Sequence, residues 1–201
     1  MASNDGLSTT LARVTKLCGL RERKKQQTRA ALVDGALALF EAKSFETATV
    51  EEIAAAADVS PRTFFRYFPA KEAVLLAVHD EEFERLLAAV DRGAGLAEAI
   101  VGSLDDDHER FRRVQELLAR TPALRATFLE RAVVQERQLV DKLLPANADE
   151  RQLLRTRLLV AATSAALRVA VEDWLGNPGI NCAEHVRDAL AMVEQGLVVT
   201  G

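Results

Sequence analysis

Cysteine is nearly absent from this chain. The two present, Cys18 and Cys182, lie at opposite ends and in no CxxC spacing, which excludes a disulfide framework and the common zinc patterns. Glycine and proline are also sparse, at 10 and 5 in 201 residues, and alternating runs of β-branched residues are missing, so a sheet is not expected. No apolar run is long enough to cross a bilayer, because the longest, around Leu158 to Val171, is broken by Thr163, Ser164 and Arg168. Asp5, Arg13 and Lys16 stand where a secretory signal needs an unbroken apolar stretch, so a cytoplasmic protein without a membrane partner is expected. GxSxG, P-loop, HExxH and GxGxxG motifs do not occur, and Gly93-Ala94-Gly95 lacks the rest of a dinucleotide fingerprint. The histidines, His79, His108 and His185, are scattered. Asp105-Asp106-Asp107-His108 suits helix-start carboxylates better than metal ligands, so no metal, no cofactor and no enzymatic activity are expected.

What is present is a chain 49% hydrophobic and 28% charged, with apolar residues at helical spacing in nearly every long stretch. The expected fold class is all-α, with about nine helices in two groups. Residues 1–19 form a polar leader whose weak stripe of Leu7, Leu11, Val14 and Leu17 suits a frayed arm or a short helix. A first long helix is expected from Leu20 to Lys43, with Leu32, Ala36, Leu39 and Phe40 inward. Thr49 and Glu52 form a capping box that opens a short second helix. Asp58-Val59 reads as a turn, and Ser60-Pro61 caps a third helix that ends before Pro69. Helices are then expected from Ala70 to Val90, twice between Leu96 and Arg120, from Thr121-Pro122 to Leu144, from Glu150 to Leu175, and from Asn181 to Val198.

The formal net charge of −4 averages two unlike parts. Residues 1–71 hold 11 basic and 8 acidic side chains, a net +3, and the remaining 15 basic and 22 acidic give −7. Arg21, Arg23, Lys24, Lys25 and Arg29 stand against Glu22 alone at the start of the first helix, an arrangement suited to phosphate contacts. Two short helices joined by a tight turn and docked on a longer one have the proportions of a helix-turn-helix. Four of the chain's ten aromatics fall between Phe64 and Phe68. Phe64 and Phe68, four apart, face the core together, and the remaining aromatics cannot all join them on one side of a helix. The opposite face then carries Arg62, Thr63, Arg66 and Tyr67 with Phe65 at its edge: donors for bases and phosphates, and aromatic edges for thymine methyl groups.

The blocks Leu32–Phe40 (LVDGALALF), Ala48–Ala54 (ATVEEIA) and Val59–Glu72 (VSPRTFFRYFPAKE) resemble the DNA-binding domain of TetR/AcrR-family transcriptional regulators. The resemblance covers about 55 residues, nearly without gaps. It implies an all-helical homodimer, usually a repressor, with double-stranded DNA and a small effector as partners. The expected division is residues 1–19 as an N-terminal extension, 20–69 as the DNA-binding domain and 70–201 as the effector-binding and dimerisation domain. By the same resemblance Thr49 touches a phosphate, Arg62, Thr63 and Arg66 line the recognition face, Tyr67 lies against the backbone and Lys71 binds a phosphate; Lys25 of the basic cluster and Pro61 at the helix start join them as DNA-binding candidates. Phe65 stands where the family usually has Tyr, so a phenol contact is replaced by an apolar one. Asp58 and Ser44 each replace a common glycine, and a left-handed conformation is open to Asp58.

The second half resembles, over about a third of its length, the ligand domain of MftR-type members, which implies an acyl-CoA-like effector. Phe83, Leu86, Leu87, Leu117, Leu118, Phe128 and Leu129 are candidates for an apolar cavity, where plain core is the competing reading. Arg168 interrupts an apolar run and either pairs with an acid such as Glu136 or binds an anionic ligand group. Leu154, Leu158, Ala161, Ala165 and Val169 form one stripe, and Val186, Leu190, Val193 and Leu197 another. Both stripes are candidates for a two-fold dimer interface, or alternatively for intramolecular core. The rivals to a DNA-binding regulator are a helical small-molecule-binding or adaptor protein that never meets DNA and, further off, an enzyme using the second-domain cavity.

Overall fold

Thirty-nine consecutive residues, Asp5–Lys43, form α1. The structure is a computed structural model that describes residues 5–104, 108–177 and 179–196. The expected start of this helix near Leu20 is therefore corrected. The first proline of the chain is Pro61, and each added residue of a nucleated helix gains a hydrogen bond, so nothing stops the earlier turns from continuing the same helix. Ser44 ends α1 at φ +83°, the left-handed conformation that glycine usually supplies there.

The next two helices are α2, Val50–Ala56, and α3, Pro61–Tyr67. Both halves of the Thr49–Glu52 capping box form, and Glu52 also pairs with Lys43 on α1. The Lys43 hydrogen bond first, and the Thr49 backbone N–H second, hold the Glu52 carboxyl below its usual range. Asp58 takes φ +53° between the helices. The Asp58 and Val59 N–H groups donate to Ala55 and Ala54, a Schellman ending built on Asp instead of Gly. Ser60 accepts from the Thr63 N–H at 3.2 Å and Pro61 occupies the first turn, as the spacing predicts. Residues 1–74 form one compact unit. Its core joins Leu32, Val33, Ala36, Leu37 and Phe40 of α1 to Ile53, Ala54, Phe64 and Phe68. Gly35 lets α1 and α2 approach closely, since a Cβ there would lie 3.2 Å from the Ala56 Cβ.

α4, Glu72–Asp91, carries the chain into the second compact unit, residues 75–201. There follow α5, Leu96–Leu104; α6, His108–Arg120; α7, Pro122–Leu143; α8, Glu150–Gly176; and α9, Cys182–Gln195. Thr121 precedes α7 but makes no side-chain cap, whereas Asp149 and Gln152 form a full capping box on α8. α9 ends at Gln195 beside Gly196 (φ +87°), and the expected end at Val198 lies outside the described residues. Trp174 anchors this core: its indole donates to the Ile180 carbonyl at 3.1 Å and stacks on Phe111. Among the described residues every regular element is helical, and no helix is long and apolar enough to cross a membrane.

The two stripes proposed for dimerisation part company here. Val186 and Leu190 are fully buried in the core of their own unit, and Val193 is half-buried, so this stripe is corrected to intramolecular core; Leu197 lies outside the described residues. On α8 the outcome is opposite: Leu154, Leu158, Ala161, Ala165 and Val169 are all exposed, Leu158 to 61%.

Candidate functional site: a nucleic-acid face and an apolar cavity

In α3 the aromatic run divides as helical geometry requires. Phe64 and Phe68 are buried, with ring centroids 5.6 Å apart. Phe65, edge-on to Phe64 at 5.5 Å, is 54% exposed. Pro61, Arg62 and Arg66 are exposed beside it, and Thr63 and Tyr67 are half-buried. Two guanidinium groups, two hydroxyls and an apolar ring thus share one short face, the chemistry needed for base edges, phosphates and thymine methyl groups. Arg66 lies over the Tyr67 ring at 5.2 Å, and Arg29 of α1 over the Phe68 ring at 5.5 Å. The second contact ties the basic stretch of α1 to α3. One turn before Arg29, Lys25 is exposed with only a loose 3.9 Å contact to Glu22, and Arg21 and Lys24 are exposed as well.

Two of the phosphate candidates are engaged otherwise. The Thr49 hydroxyl closes the capping box, accepting from the Glu52 N–H and donating to its carboxylate, each at 3.3 Å. Lys71 is turned inward: its ammonium donates to the carbonyls of Phe45, Glu46 and Ala48 at 2.6, 3.2 and 3.1 Å and sits 4.5 Å from the centre of the Phe45 ring. Its three hydrogens are directed at the α1–α2 loop, 23 to 26 residues away in sequence, a pairing that no local pattern signals.

The second unit encloses a cavity of about 480 Å³ between α4, α5, α6, α7 and α8. Phe83, Leu86, Phe128, Glu136 and Arg168 line it, and Leu117 does not. The candidates Leu118 and Leu129 line it too, whereas Leu87 does not and Leu117, one residue of rotation around the helix from Leu118, is buried away from it. Arg168 is exposed and pairs with Glu172 one turn along its own helix at 3.6 Å, so the expected partner Glu136 is corrected. Among the described residues no group of His, Cys, Asp and Glu gathers as metal ligands, and Asp105 to Asp107 lie outside those residues.

Polar lining residues also escaped the sequence reading, among them His79, Glu82, Gln135 and Thr163. Thr163 carried a signal, since it breaks an apolar run, yet its direction around the helix was not legible. Glu82, Gln135 and Thr163 are all buried. The His79 ring lies 5.5 Å from that of Phe128, with Nδ1 3.9 Å from the Glu82 carboxylate. Thr163 forms no hydrogen bond with the described residues. Replacing a buried hydroxyl that lacks a partner by an isosteric methyl removes a desolvation penalty. Thr163→Val is therefore expected to raise the stability of the ligand-free protein by about 1 kcal/mol, read as a higher midpoint in thermal or urea unfolding.

Comparison with known proteins agrees with this arrangement. Residues 32–78 match the family described as bacterial regulatory proteins, tetR family. The chain is 35% identical over 174 residues to the HTH-type transcriptional regulator TcmR of Streptomyces glaucescens, covering 78% of this chain and 76% of that protein. It is 25% identical over 186 residues to the regulator MftR of Mycobacterium tuberculosis, covering 87% and 93% respectively. Among solved structures, NalD, the secondary repressor of the MexAB-OprM multidrug efflux pump in Pseudomonas aeruginosa, matches with a TM-score of 0.61 at 23% identity over 87% of this chain and 98% of that one. That likeness carries the fold alone. The adaptor and enzyme rivals fall with the relatives, which are transcriptional regulators. The chain belongs to the tetR family of bacterial regulatory proteins and is a DNA-binding transcriptional regulator.

Proposed function

We propose that this protein is a homodimeric repressor that reads a near-palindromic operator with α3 and is released by a small apolar effector held in the cavity of its second unit. The observation that carries the reading is the exposed face of α3, where Arg62, Phe65 and Arg66 stand together with no partner helix over them. Two such helices related by a two-fold axis enter successive major grooves roughly 34–36 Å apart, which demands a symmetric site. Residues 20–69 act as the DNA-binding domain and residues 70–201 as the effector and dimerisation domain. Lys25 meets a phosphate from α1, and Thr63 and Tyr67 fix the register of α3. The exposed α8 stripe supports a second copy as partner: an apolar row four turns long is costly to leave in water. The −7 balance of residues 72–201 repels DNA wherever the basic head is not docked, which orients the approach.

An effector shifts the dimer between geometries only by its differential affinity for them, so release requires a cavity whose shape differs between the two states. A mobility-shift titration on the promoter region upstream of the protein's own gene tests the reading. Specific binding that weakens steeply with salt is expected; binding without sequence preference overturns it. Arg62→Ala is expected to cost about 1–3 kcal/mol and to relax preference at one base pair per half-site. Phe65→Ala is expected to abolish the penalty for exchanging one contacted thymine for uracil, which lacks only the methyl group.

A further inference from the structure

In the second unit the large apolar side chains left in water fall mostly on α7 and α8. Val133 of α7 and Leu154, Leu158 and Ala161 of α8 line one open groove between the two helices. Glu136, Arg137, Asp141 and Arg157 line it as well, so apolar and charged groups share one surface, as in a protein interface. The outer side of α9 is different. It presents Glu184, Arg187, Asp188, Met192 and Glu194, and Met192 is the one large apolar residue among them.

The charges along α8 say which partner fits the groove. Arg151, Arg155 and Arg157 are exposed in its first two turns, offset by Glu150 alone, and Glu172 and Asp173 are exposed near its end. A lone helix favours the reverse order, acids at its start and bases at its end. None of the three arginines has an ion pair or hydrogen bond among the described residues. Arg168 and Glu172 form an exposed pair at 3.6 Å, which is worth little in water, and Asp173 is engaged with His185 at 2.8 Å. A helix basic at its start and acidic at its end is complementary to an antiparallel copy of itself. Such a copy brings its negative dipole end and its Glu172 beside the arginines. Between the charged ends lie Ala161 and Ala165, both exposed and small enough for two helices to cross closely. A two-fold axis between these alanines places Leu158 opposite Val169 and Arg155 opposite Glu172.

We propose that two copies of this chain join through the α7–α8 groove, their α8 helices antiparallel, Arg155 of each copy paired with Glu172 of the other, and the outer face of α9 left in water. The proposal deepens the homodimer reading above and rests on it. Sedimentation of the full-length protein over a concentration series tests both. Val133→Glu is expected to give a folded monomer, because Val133 is 48% exposed in the single chain, whereas Met192→Glu is expected to stay dimeric. Arg155→Glu alone and Glu172→Arg alone are each expected to weaken the dimer about tenfold or more, since each sets like charges opposite one another at two symmetric places. The two changes combined restore opposite charges, and the dissociation constant is expected to return to within about threefold of its original value. All four positions are exposed, and circular dichroism checks the fold of each variant. A dimer untouched by Val133→Glu or by the single charge changes, a dimer broken by Met192→Glu, or charge effects that add instead of cancelling overturns the proposal and leaves the homodimer reading in place. An unaltered chain that sediments as a monomer overturns both.

Discussion

Lys71→Ala is expected to lower the melting temperature by several degrees and to weaken binding to every DNA sequence, while the salt dependence of the remaining binding stays as it was. The side chain reaches from the start of α4 to three carbonyls of the α1–α2 loop, and its ammonium lies over Phe45. Hydrogen bonds from a charged donor contribute about 1.5–3 kcal/mol each when removal leaves the acceptors dry, and less where water re-enters. Lys71 is half-buried and its three bonds share one group, so a total loss of about 2–3 kcal/mol is expected. The loop it holds leads directly into the Thr49 cap of α2, and α2 sets the position of α3, which explains a loss common to all sequences. A lysine acting on phosphate behaves differently. Its removal leaves the melting temperature unchanged and lowers the slope of log K against log salt by about one. Thermal melts and salt titrations of one variant separate the two roles, and an unchanged melt with a lowered slope returns Lys71 to the phosphate backbone.

The second large effect is expected from Leu158→Glu. Leu158 is 61% exposed in the middle of the α8 stripe, flanked along the helix by Leu154, Ala161 and Ala165. If two copies meet on this face, two carboxylates enter an apolar contact near the two-fold axis, where neither finds a partner. The variant is then a folded monomer in sedimentation or native mass measurements, and operator affinity falls by on the order of a hundredfold or more because the second half-site no longer binds intramolecularly. Its circular dichroism stays helical, since the side chain takes no part in the chain's own core. A variant that remains dimeric with unchanged operator affinity removes α8 from the interface. Val186→Glu provides the contrast: Val186 is fully buried, so the same exchange on α9 is expected to prevent folding.

These two stripes mark how far the amino-acid sequence carries. Along the chain Leu154, Leu158, Ala161, Ala165 and Val169 look the same as Val186, Leu190 and Val193: apolar residues at helical spacing. Periodicity says that a face is buried or wants to be, and it cannot say against what. α9 packs on α8, the helix before it, and on α5, and which face of each helix meets the others leaves no local trace. Arg168 followed the same logic. Its departure from an apolar run was legible, but its partner proved to be Glu172 on its own helix. For the cavity, Leu117 was a reasonable candidate by composition and wrong by one residue of rotation.

The first compact unit was legible almost throughout, for a physical reason. Thr49 with Glu52, Ser60 with Thr63, and Pro61 act within four residues, so the hydrogen bonds that start α2 and α3 are written in adjacent positions. Four aromatics in five residues force a division between core and surface, and α3 divides them with Phe64 and Phe68 inside and Phe65 out. Ser44 shows the limit even here: its φ of +83° meets a demand of the chain path after α1 that serine does nothing to advertise. The sequence by itself determined the all-helical class, the caps of α2 and α3, the division of the aromatic run between core and surface, and the basic stretch of α1. Only the tertiary structure decided that Lys71 holds a loop, that α9 is core while the α8 stripe is open, and that Gln135 and Thr163 face one cavity. Caps and faces depend on neighbours within one or two turns; partners across the fold depend on how whole helices pack, and no short stretch of the chain encodes that.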